Sequence, residues 1–204
     1  MDWYEQVKAK QKRRNEILFD RKNELLQPLR LLIAQQNHIV IVAWCLDCLQ
    51  SIAASLTEKW GEDARISNVL SLSQQWARGE IKMPKAKAAI LAVHAIAKET
   101  KDPIVIAYAH AIGQGCGSIH TEAHAIGMVT YDLTAMVHQY GIENCQTVIE
   151  KRVEWYMQRL YDISMQEDLL KQPWASFLRK DRMNAEAKII QKMLSLNKEE
   201  NEKV

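Results

Sequence analysis

The stretch Ala109–Tyr131, AHAIGQGCGSIHTEAHAIGMVTY, decides how this chain is read. It holds three of the six histidines and four of the seven glycines, and the tetrapeptide HAIG occurs in it twice, at His110–Gly113 and His124–Gly127. Two readings compete. Imidazoles at helical spacing suit a metal or catalytic centre. Small residues at the same spacing suit a close helix–helix contact whose polar groups are satisfied inside it.

Helical arithmetic favours the contact. Asp102 is a candidate N-cap and Pro103 an N1 proline, no proline follows before Gly141, and the segment 103–140 reads as one central helix of about 55 Å. Gly113, Gly115 and Gly117 are the places where it would bend or break. On a continuous helix His110, Gly113, Gly117, His120, His124 and Gly127 share one face within about 100°. His120 and His124, one turn apart, suit a shared metal. Yet the zinc-protease pattern puts Glu directly after the first His, where this chain has Thr121, and Glu122 lies about 200° round from His120. The run Gly113–Gly117 lacks the preceding strand and the Lys of a phosphate-binding loop. Neither a metal nor another cofactor is expected.

The rest of the chain also reads as helix. Glycine and proline are scarce, with seven and four in 204 residues, too few for the turns of an all-β fold. Residues 4–27 read as a mostly polar helix ending before Pro28. Residues 37–60 contain the β-branched run Ile39–Val42, which suits a strand, but no turn signal separates it from the helical spacing that follows. The whole segment is read as helix, stopped by Gly61. Helices are expected at 64–79, from Pro84 to about Lys98, at 143–171 and at 184–196. The fold class is therefore all-α: one domain over residues 1–196, a bundle of about seven helices around the Gly/Ala/His-rich central one, with a charged disordered tail at 197–204.

Two further elements invite chemistry. Trp44-Cys45-Leu46-Asp47-Cys48 has the form of a thioredoxin-like WCxxC, but the alternating strands of that fold are missing, so Cys45 and Cys48 read as small apolar residues one helical turn apart. Asp47 sits among apolar neighbours and, if buried, needs a partner or a proton; Arg65 or Arg78 on the following helix is the expected partner. Trp60, Trp76 and Trp155 read as core aromatics.

A formal net charge of +2 and a modest basic cluster, Lys8 to Lys22, argue against nucleic acid as a partner. The N-terminal MDWYEQVKAKQKRR has no apolar segment of a secretory signal, and the longest apolar run, Ile39–Leu46, is short for a membrane span. A cytoplasmic protein with reduced thiols and no membrane association is expected.

Taken in order, several elements resemble one family. Ala43–Cys48 resembles the WALDC element of the Imm-5-like immunity proteins of bacteria, and Trp76-Ala77-Arg78-Gly79-Glu80-Ile81 resembles their WARGEI segment. Ala92–Glu99 is similar to the Ala/His-rich helix that follows. Ala109–Tyr131 resembles their long histidine-bearing helix, with His120, His124, Ala125, Gly127 and Tyr131 at matching positions. The resemblance covers about residues 36–140. It implies a non-enzymatic protein that binds and neutralises a cognate toxin. The binding candidates are Trp44, Asp47, Arg78, His110, His120 and His124, none of them catalytic. The alternative is a metal-dependent hydrolase built on the histidines of the central helix. Self-association is left open.

Overall fold

The computed structural model describes residues 2–201, with side-chain surroundings through Ser195. Among these residues there are nine α-helices and no strand: α1 Trp3–Lys12, α2 Gln27–Ala34, α3 His38–Trp60, α4 Ala64–Arg78, α5 Met83–Ile96, α6 Pro103–Gly117, α7 Ala123–Tyr140, α8 Gln146–Ser164 and α9 Ala185–Asn201. The all-α reading holds, and the count exceeds the seven expected.

Local chemistry sets most of the boundaries. Asn37, Asp63 and Asp102 cap α3, α4 and α6, each side chain accepting a backbone N–H of the first turn. Pro84 and Pro103 sit in the first turns of α5 and α6, where a missing N–H removes no helical bond. Gly79 ends α4 in the left-handed conformation at φ 79°, with its N–H returned to the last turn.

α3 is the helix around which the others pack. Its 23 residues are long and apolar enough to cross a membrane by length and composition, with mean hydropathy 1.9 over the most apolar 18-residue window. Here they form the core. Trp44, Leu49, Ile52 and Leu56 are fully enclosed, and α3 lies chiefly against α6 and α8. The β-branched Ile39–Val42 are helical, because burial on nearly every side rewards apolar bulk whatever the strand propensity.

Two expectations about helix length are corrected. The 103–140 segment is not one helix. It breaks at 118–122 into α6 and α7, which fold back as an antiparallel hairpin. Gly115 and Gly117 weaken the helix there, the Ser118 hydroxyl donates to the Gly115 carbonyl at 2.6 Å, and the amide of His120 bonds the Gly117 carbonyl. The first helix likewise stops at Lys12 rather than running to residue 27. Arg14 takes φ 57°, and the chain then crosses the molecule irregularly. Leu18 and Phe19 plug into the core, with the Leu18 amide donating to Thr134 Oγ1.

α8 ends at Ser164, and a strap of short turns leads to α9. α9 continues to Asn201, past the expected stop at residue 196 and into the tail expected at 197–204, of which 202–204 lie outside the described residues. Glu186, fully buried at its start, is paired by Arg30 at 2.6 Å and by Arg21, which ties α9 to α2 and to the irregular N-terminal stretch.

Candidate functional site

The six candidate residues fall into two places. Trp44, Asp47 and Arg78 belong to the α3–α4 side of the molecule; the histidines belong to the α5–α6–α7 side.

On the histidine side, the common face expected for His110, His120 and His124 does not form, because the break at 118–122 puts them on three different elements. His110 lies on α6 with its ring 5.1 Å from that of Tyr131 on α7 and its Nδ1 2.8 Å from Nδ1 of His94 on α5. His124, at the start of α7, bonds Gln114 Oε1 through Nδ1 at 2.6 Å. His120 stands exposed in the connecting loop. His94, whose His94-Ala95-Ile96 repeats the start of the HAIG tetrapeptide, is the residue that organises this side. Its ring fills the space beside Gly113, where any Cβ would overlap it. Burial pushes the His94 imidazole down to about 4, and the neighbouring His110 and His124 push the same way. Burial also lowers His110 and His124. Among the described residues no group of three or more His, Cys, Asp or Glu is placed to hold one metal ion. What this arrangement can do is pack three helices closely with neutral rings that satisfy one another.

The four cysteines are free and buried. Burial raises Cys45 and Cys116 to about 12 and Cys48 well above its ordinary value, so all three are protonated at neutral pH. Nucleophilic or redox chemistry needs the thiolate. Trp44 is a core residue: its indole N–H donates to the Tyr156 carbonyl at 3.1 Å, and the two rings meet edge to face.

Asp47 is paired, though not by Arg65 or Arg78. Arg159 on α8 grips it through two bonds of 2.9 and 2.6 Å. Arg65 is engaged by Asp63 and Glu99 instead. The neighbouring helix in sequence is α4, but the neighbour that faces Asp47 is α8, 112 residues away. Below this pair Asp132, fully buried on α7, accepts from Tyr156 Oη at 2.7 Å and from Arg152 Nε at 2.8 Å. Sequence reading missed this cluster. Its trace is Arg152 and Tyr156 one turn apart on α8, and a lone carboxylate in the apolar run of α7.

Asp47 and Arg78 nonetheless come together as lining of one cleft of about 240 Å³. Its floor is Ala43, Leu46 and Asp47 of α3 with Gln74, Ala77 and Arg78 of α4. Its wall comes from the end of α8 and from the strap, with Gln166, Gln172 and Trp174. The strap is pinned by chemistry: the Ala175 amide donates at 2.8 Å to the Ala77 carbonyl, one of the open carbonyls at the end of α4, and the Trp174 indole donates to the Leu169 carbonyl at 2.7 Å. Trp76 and Phe177 pack beneath it, ring centroids 6.0 Å apart. The Arg78 side chain makes no hydrogen bond or ion pair among the described residues, and it is exposed.

Residues 31–159 match the family model of the Imm-5 like putative immunity protein. That span runs from α2 to Arg159 on α8 and covers well over half of the chain. The chain belongs to this family. Membership gives it an immunity-protein role in general, with a toxin as the partner such a role requires. No curated protein and no solved structure matches the chain. The family span contains the cleft floor and all six histidines but none of the strap, so the wall formed by Gln166, Gln172 and Trp174 lies outside it.

Proposed function

We propose that this protein binds a cognate toxin and holds it inactive by occupying its surface, without a catalytic step of its own. Family membership supports the immunity role. The observation that carries the binding reading is how the reactive side chains are disposed. His94 and His110 are bonded to each other, His124 to Gln114, and the cysteines are enclosed as thiols. The groups left free to make new bonds are surface ones, Arg78 among them. A surface that supplies unsatisfied polar groups beside apolar lining is what a partner protein recognises. The protein would act in the cytoplasm of the producing cell, where thiols like its own stay reduced.

The test is co-expression. Each protein encoded beside its gene is expressed in a heterologous bacterium with and without this chain. One of them should arrest growth alone, grow normally with this chain present and co-purify with it. A toxic neighbour that is neither neutralised nor bound would overturn the reading. The metal-hydrolase alternative finds no assembled ligand set among the described residues to support it.

A further inference from the structure

The cleft between α3, α4 and the strap is lined by one exposed arginine and three glutamine side chains. At about 240 Å³ it is smaller than the roughly 300–1,000 Å³ of pockets that enclose a whole small molecule. Its charged lining residues are Arg78 and Asp47, and Arg159 reaches Asp47 from α8. Arg159 and Asp47 satisfy each other through two bonds, which cancels their charges. Of the two acids beside Gln166 on the strap, Glu167 and Asp168, neither lines the cleft, and Asp168 is paired with Lys171 at 2.7 Å. Arg78 is left as a cation with no partner among the described residues. Around it the side-chain amides of Gln74, Gln166 and Gln172 also make no hydrogen bond among the described residues. Each offers a donor and an acceptor, the pair needed to hold the backbone of an inserted loop.

We propose, resting on the toxin-binding reading above, that this cleft is where the partner docks and that Arg78 receives a glutamate or aspartate side chain from a partner loop. A guanidinium binds a carboxylate through two parallel bonds, and such pairs are stronger and more directional than neutral ones. The two sides of the cleft divide the work. The floor, with Asp47 and Arg78, lies inside the family span. The wall, with Gln166, Gln172 and Trp174, lies beyond residue 159, and reads the residues flanking the acid. Arg78 supplies affinity for an acidic loop, and the strap selects which one.

The test needs no toxin. The ¹⁵N-labelled full chain is titrated with Ac-Gly-Glu-Gly-NH₂ and with its neutral counterpart Ac-Gly-Gln-Gly-NH₂, following the Trp174 indole N–H and the glutamine side-chain amides by NMR. The acidic peptide should shift these signals saturably, and the neutral one should bind at least about fivefold more weakly. Arg78→Gln should bring the acidic peptide down to the neutral one's level with Tm unchanged, since Arg78 is exposed and holds nothing else in place. Trp174→Ala should weaken both peptides. Equal binding of the two peptides, no binding of the acidic one, or indifference to Arg78→Gln would overturn the site. Growth rescue by the intact chain without acid selectivity counts against this site alone. Acid selectivity without rescue counts against the toxin reading.

Discussion

The Nδ1 atoms of His94 and His110 face each other at 2.8 Å across the α5–α6 contact. At that distance one ring donates and the other accepts, so at least one of the two is neutral in the folded protein. His94 is the ring that seats against Gly113, and this pair joins the three helices of the histidine side.

A pH dependence of stability follows. His38, His94, His110 and His124 all have folded-state values below that of a free imidazole, chiefly through burial. The unfolded chain therefore binds more protons than the folded one between the two values. Stability is fully present above about pH 6.5 and is lost as pH falls towards the folded values, about 4 for His94. Tm should drop steadily from pH 7 to pH 4.5, and His94→Gln should flatten that slope. A Tm independent of pH over this range would contradict the buried-neutral assignment.

Gly113→Ala should destabilise the protein. Alanine is favoured over glycine in a helix by about 1 kcal/mol, but its methyl would displace the His94 ring and break the imidazole pair. A net loss of about 1–3 kcal/mol by urea denaturation is expected, the range for overpacking. In the His94→Ala background the same substitution should be neutral or stabilising, because the obstacle is gone.

Asp132→Asn should be far more damaging than its conservative form suggests. Asp132 accepts from both Arg152 and Tyr156 in the core. Removing its charge leaves the Arg152 guanidinium mostly buried without a counter-ion, a loss of about 3–5 kcal/mol. The double variant Asp132→Asn with Arg152→Met should recover much of that. Additive losses in the double variant would argue against the pairing.

Thiol chemistry gives a direct check on the WCxxC segment. The native protein should react slowly with a disulfide reagent at pH 8, and all four thiols should react once it is unfolded. Rapid native reaction at Cys45 would contradict a thiol raised to about 12 by burial.

Much of the helix map was legible because its signals are local. Asn37, Asp63 and Asp102 reach amides two or three residues on, and Gly61, Gly79 and Gly141 each follow a helix end. The site was legible only in its parts. Asp47 asked for a partner, and Arg78 sat in a recognisable segment. The partner itself is 112 residues away on α8, and no spacing rule reaches that far. His94 carried one signal, its repeat of the His-Ala-Ile pattern, which reported the shared helix-packing surface.

Sequence alone therefore determined the all-helical class, the cap at Asp102, the stops at Gly61, Gly79 and Gly141, the family and the polar residues set in apolar helices. Each depends on contacts within a turn or two of chain, or on the pattern of burial along it. Tertiary structure decided that the segment Ala109–Tyr131 folds back on itself. It also decided that His110 meets His94 rather than His124, that Arg159 takes Asp47, and that the strap closes a cleft beside Arg78. A helix of 103–140 and a hairpin of α6 and α7 share nearly the same local bonds. What separates them is the burial gained when α7 lies along α6, with Met128 against Gly115 and Gln114 against Gly127.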